Sequence, residues 1–167
     1  DNSFFGITSP LSGFRYRLGV NQLFGDFNYG SLTADLRKYI RVKPVTFAGR
    51  FFSNTSFGED QDQYFAQQFI GYPTLIRGYE YNSFYKNGGV NAEGFNLYQL
   101  VGSKVAVANF ELRLPFTGPE KLAAIESKFL FSDLNLFFDI GLAYNSDSKV
   151  AFKSTPSGIG SMDDPTF

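Results

Sequence analysis

Arg77 stands in Leu75-Ile76-Arg77-Gly78-Tyr79-Glu80, at the centre of a long segment between two strand-like stretches. A Gly directly after an Arg lets the backbone turn sharply and sends a planar, permanently charged fork into a confined space, with the aromatic beside it as a wedge. The chemistry on offer is charge-assisted hydrogen bonding to carboxylates. Composition closes most other routes. The chain has no Cys, His or Trp, which removes thiolate and imidazole chemistry, the serine triad and the usual zinc sites. Carboxylate chemistry stays open. The run Gly58-Glu59-Asp60-Gln61-Asp62 collects acids without any calcium-loop spacing, and reads as a solvated loop that binds a cation weakly at most. No catalytic, cofactor-binding or metal residue is assigned, and the chain is not read as an enzyme. A net charge of -1 in 167 residues gives no case for nucleic acid or a polyanionic partner.

The elements that would position these groups are strands. Five stretches alternate apolar with polar residues, and the polar positions carry Arg, Asp, Glu and Asn. In the clearest, Ala106, Ala108, Phe110, Leu112, Leu114 and Phe116 oppose Asn109, Glu111 and Arg113. Phe14, Tyr16, Leu18, Val20 and Phe24 oppose Arg15, Arg17, Gly19 and Asn21. Leu32, Ala34, Leu36, Ile40 and Val42 oppose Thr33, Asp35, Arg37, Tyr39 and Arg41, with Lys38 the single charge on the apolar face. A stretch from about Val45 to Ser53 is the least clean. The last, about Phe129 to Tyr144, sets Leu134, Leu136, Phe138, Ile140, Leu142 and Tyr144 against Asp133, Asn135, Asp139 and Gly141. One face suits lipid and the other a wet lumen, the pattern of a transmembrane antiparallel β-barrel. A soluble sandwich also alternates. Against it stand strands longer than the soluble average of about 5–6 residues, and 21 Phe and 10 Tyr, an excess that aromatic girdles would use. No run of about 18 apolar residues offers a transmembrane helix, and Asp1-Asn2-Ser3 does not open a signal peptide, so the start of an exported precursor is expected to be missing.

With the strands placed, Ile76-Arg77-Gly78-Tyr79 resembles the Val/Ile-Arg-Gly-Phe/Tyr motif of the bacterial surface antigen superfamily, the BamA/TamA type of outer-membrane assembly and translocation barrel. Two further matches follow in order: Asn109-Phe110-Glu111-Leu112-Arg113-Leu114-Pro115-Phe116 resembles the strand after the motif loop, and Phe137-Phe138-Asp139-Ile140-Gly141 the next strand. The resemblance runs from about Ser9 to Tyr144. It implies that the motif loop folds back into the barrel and that Arg77 meets Glu111 and Asp139 on the inner wall. The alternation independently assigns both acids to the lumen. Ile76, Arg77, Gly78, Tyr79, Glu111 and Asp139 are therefore the expected structural latch.

Family members have about sixteen strands, and about eight is the minimum for a membrane barrel. Five strands read as part of a longer chain, the ninth to thirteenth if counted from the motif loop. Residues 1–167 are expected to belong to one outer-membrane β-barrel domain. Within it, 54–104 would be a long extracellular loop folding into the lumen, 145–167 an outer loop, Lys43-Pro44 a periplasmic turn, and Thr117 to Lys128, with its helix-prone Glu120-Lys121-Leu122-Ala123-Ala124, a periplasmic connection. The resemblance implies assembly or insertion of outer-membrane proteins, or polypeptide translocation. Its partners would be the lipid bilayer of the bacterial outer membrane and client outer-membrane proteins or a translocated polypeptide. An alternative is the anchor or transporter barrel of a fused surface enzyme, a patatin-like lipase or a propeller-bearing peptidase. A simple porin is the third.

Overall fold

The computed structural model describes residues 2–5, 9–26, 28–63, 66–78, 100–119 and 122–147. Among them the regular structure is all β. Five long strands, β2 (Pro10–Leu23), β3 (Tyr29–Val42), β4 (Val45–Gly58), β7 (Lys104–Gly118) and β9 (Ser132–Tyr144), carry 13 to 15 residues each. Short strands accompany them: β1 (Asn2–Phe5), β5 (Gln68–Phe69), β6 (Val101–Gly102) and β8 (Ile125–Glu126). The main sheet runs β1-β2-β3-β4-β7, with β8 and β9 both pairing with β7. Pairing is antiparallel between β1 and β2 and parallel where Thr117 and Gly118 meet β8. The two-residue turn at Lys43-Pro44 requires β3 and β4 to be antiparallel.

Cross-strand contacts fix the register. Asn54 Nδ2 donates to Thr33 Oγ1 at 2.8 Å, Ser56 N to Ser103 O at 2.9 Å, and the Thr117 and Ser132 hydroxyls meet at 2.7 Å. In this register the apolar positions of all five strands share one face. They are also the exposed ones: Val20 is 70% and Leu136 71% accessible, and Phe14, Leu18, Ile40, Phe47, Phe51, Phe110, Phe138 and Ile140 are exposed with them. A band of this extent has no place against water and suits hydrocarbon. The opposite face buries Thr46, Ala48, Asn54 and Ser56 of β4, and Val105, Val107 and Asn109 of β7. At about 3.3 Å per residue and 45° tilt, 14 residues rise roughly 33 Å, more than an apolar band of about 25 Å. The strands therefore project beyond the membrane.

The connections after β4 and after β7 differ from the sequence expectation. β4 does not stop at Ser53 but runs to Gly58, because the inward-facing Asn54 and Ser56 find partners in Thr33 and Ser103 and keep the ladder intact. The long connection thus begins at 59 and carries its own small antiparallel pair, β5 with β6. Of the helix-prone run after Pro119, Glu120 and Lys121 lie outside the described residues; Leu122 N and Ala123 N both bond to Pro119 O, and the chain then pairs as β8.

The chain divides into two compact units, 1–17, 35–51 and 108–139 in one, and 18–34, 52–107 and 140–167 in the other.

Candidate functional site

In the second unit the motif segment is packed onto the polar face of the sheet. Ile70, Ile76 and Leu100 from the long connection join Val105 and Val107 of β7 and Ala143 of β9 in a dry cluster, with Phe52, Phe69 and Leu75 against it. Ile70 and Val107 are each only 1% exposed. Backbone bonds shape the segment: Ile70 N reaches Leu100 O at 2.9 Å, and Leu75 N and Ile76 N both reach Tyr72 O, at 2.8 and 3.0 Å. The Phe69 and Tyr72 rings stack edge to face, 5.1 Å between centroids.

Ile76 seats itself over Gly141. A Cβ at 141 would overlap Ile76 Cδ1 and lie 3.0 Å from Ile70 Cδ1, so the absent side chain is the notch into which the motif isoleucine fits. Two residues on, Gly78 takes φ +95°, where a side chain would strain the backbone. Arg77 is thus held half-buried between an anchored isoleucine and a left-handed turn. Tyr79 lies outside the described residues.

The rim above this cluster is tied by carboxylates. Asp62 accepts from the Ser103 hydroxyl and, at 3.3 Å, from Ser146 N; Ser103 N donates to Asn145 Oδ1 at 3.0 Å, and Lys104 Nζ to Ser146 Oγ at 3.1 Å. Asn28 N donates to Asp60 Oδ2 at 2.7 Å. Burial works to raise the Asp62 pKa, but the Ser103 hydroxyl, the Ser146 amide and Lys104 together hold it below the usual carboxylate range. The acidic run is therefore spent on fastening neighbouring loops. Among the described residues no group of three or more acidic side chains converges as a metal site would.

In the first unit the polar face is a guanidinium–carboxylate array. Asp35 receives both Arg37 (Nε 3.1 Å, Nη2 2.8 Å) and Arg50 (Nε 3.1 Å, Nη2 3.0 Å), two forks on one carboxylate. Glu111 forms an ion pair with Arg113, two residues along the same strand face, and both side chains are 18% exposed. Arg113 also passes over the Tyr39 ring, with Cζ 5.7 Å from its centroid, and donates to Pro10 O at 3.4 Å. That reach, from β7 past two strands to the start of β2, needs a sheet curled toward the charged face. Asp139 lies half-buried on β9, two positions from Gly141 on the same face.

The residues expected from sequence thus fall into a docked group, Ile76 with Gly78, and two wall acids, Glu111 and Asp139. Gly141 and Arg113 were missed as parts of the site. The signal for the first was a Gly on a lumenal position; for the second, an Arg two places after an acid in a strand. A family model, the Omp85 superfamily domain, matches residues 1–162. The chain belongs to the Omp85 superfamily. No curated protein matches it. This is the superfamily that the motif and its two following strands resemble, a β-barrel family of the bacterial outer membrane whose members work with polypeptide substrates. The Omp85 match accounts for the exposed apolar face: the sheet is a portion of a transmembrane barrel wall.

Proposed function

We propose that this Omp85 chain is wall and motif loop of a barrel that assembles outer-membrane proteins or translocates polypeptides, and that it does so without covalent chemistry. In this reading the connection after β4 enters the lumen from the extracellular side and Arg77 latches it to Asp139 and Glu111; most of the expected outer loop, 148–167, lies outside the described residues. The observation that carries it is the seating of Ile76 in the Gly141 notch. Seating anchors the residue next to Arg77 to β9, the strand that also carries Asp139, and a guanidinium is the group suited to bridging carboxylates.

The test is Arg77→Ala in the full-length protein reconstituted in liposomes. Loss of a half-buried ion pair should cost about 1–3 kcal/mol, below the 3–5 kcal/mol of a fully buried one. The temperature at which the folded band is lost on cold gel electrophoresis should fall, and insertion of a client barrel should slow. Arg77→Lys should recover part of both. If Arg77→Ala matches wild type in band stability and insertion rate, the latch reading fails.

A further inference from the structure

The apolar face of the first unit is not uniformly filled. A groove of ≈ 600 Å³, within the size range of ligand pockets, opens over Gly49 and is walled by Ile40, Phe47, Phe110 and Phe138, with Lys38 at its margin. The groove exists because position 49 has no side chain, and a Cβ there would meet nothing within 4 Å. Lys38 is exposed, and its ammonium lies 5.9 Å from the Phe14 ring centroid on the neighbouring strand. Among the described residues the alternation of β2, β3, β4, β7 and β9 sets no Asp or Glu on the apolar face; Glu111 borders the groove, but its carboxylate is engaged by Arg113. A cation on a lipid-facing surface without an anion to match it, next to an empty apolar channel, is complementary to one kind of molecule: an acyl chain with an anionic head.

We propose that this groove is a binding site for a phospholipid with a net negative headgroup, such as phosphatidylglycerol, whose phosphate pairs with Lys38 and whose acyl chain lies over Gly49 between Phe47, Phe110 and Phe138. Lys38 sits four residues before the end of β3 at Val42, within snorkelling reach of the interface at the Lys43-Pro44 turn. The site thus draws its lipid from the leaflet on that side. The proposal rests on the membrane placement of the wall and not on what the barrel assembles or moves.

The full-length protein carrying Phe47→Trp as a reporter, in nanodiscs of phosphatidylcholine, is titrated with brominated phosphatidylglycerol or brominated phosphatidylcholine. A second reporter, Val20→Trp, lies on the apolar face outside the groove. In the Phe47→Trp protein, brominated phosphatidylglycerol should quench the indole at a mole fraction three- to fivefold lower than brominated phosphatidylcholine, the weight of about one Lys against an anionic head. Lys38→Gln should bring that ratio to about one. Gly49→Leu should cut quenching by both lipids. Equal quenching of the groove reporter by the two lipids, an unchanged ratio in Lys38→Gln, or undiminished quenching in Gly49→Leu each overturns the site. Absence of quenching in the Val20→Trp protein would instead refute the membrane placement.

Discussion

The fit of Ile76 into Gly141 can be tested by a double-mutant cycle. Gly141→Ala puts a methyl where Ile76 Cδ1 sits, with Ile70 Cδ1 3.0 Å and Ile76 Cγ1 3.3 Å away. Overpacking of a filled site costs about 1–3 kcal/mol. Ala in place of Gly in extended backbone returns about 0.4–1 kcal/mol through the unfolded chain. The net loss should be about 0.5–2 kcal/mol. Ile76→Val deletes the obstructing Cδ1 and by itself should cost about 0.5–1.5 kcal/mol. If the two sites were independent the losses would add. Because the atom deleted by one change is the atom struck by the other, the double variant should be more stable than that sum by about 0.5–1.5 kcal/mol. Rescue stays partial, since Ile70 Cδ1 and Ile76 Cγ1 still crowd the new methyl. Urea titration of the full-length protein in vesicles, read by the folded band on cold gels and by trypsin cleavage after Arg77, gives all four corners. A cycle additive within about 0.3–0.5 kcal/mol would refute the notch.

Two further outcomes follow from the charged groups. Asp35→Asn should leave the Arg37 and Arg50 forks facing each other; as Asp35 is 14% exposed and Arg37 37%, the loss should be about 2–3 kcal/mol, less than for a fully buried pair, and Asp35→Asn/Arg50→Gln should recover part of it in the same urea titration. Asp62, with its folded pKa held below the unfolded value, contributes stability that is complete above the unfolded pKa of about 3.9 and is lost as pH falls through the folded one. Protection of Ser103 N and Ser146 N from hydrogen exchange, taken relative to the intrinsic rate at each pH, should accordingly fall below about pH 4, and Asp62→Asn should remove that pH dependence.

The strand faces were legible because each long strand is asymmetric: one side meets hydrocarbon and the other charge, so a period of two survives in Phe110-Glu111-Leu112-Arg113. The strand ends were not. β1 has four residues, too few for alternation to register, and β4 was cut short because Asn54 and Ser56 are polar groups made inward by partners remote in sequence. The site was legible in part. Arg77-Gly78 announced a turn, and Gly78 makes one. What fills the space above Gly141 depends on a segment some 65 residues earlier, a relation that no spacing encodes. Glu111 is the opposite case, since its ion pair with Arg113 arises within one strand and the two-residue spacing carried the signal.

The order of strands also carries a consequence for assembly in time. β2, β3 and β4 are joined by turns of at most a few residues, so these three can zip as successive hairpins. β4 and β7 must instead meet across a connection of about 45 residues. Relative to a short turn that is three to four doublings of loop length, about 2–3 kcal/mol of extra closure entropy. The dry cluster of Ile70, Ile76 and Leu100 with Val105 and Val107 forms from that same connection and the first turns of β7, so its burial offsets the closure at the moment it is required. Collapse of the motif segment and recruitment of β7 then become one kinetic event, and any substitution that loosens the segment should slow the joining of the wall as well as weaken it.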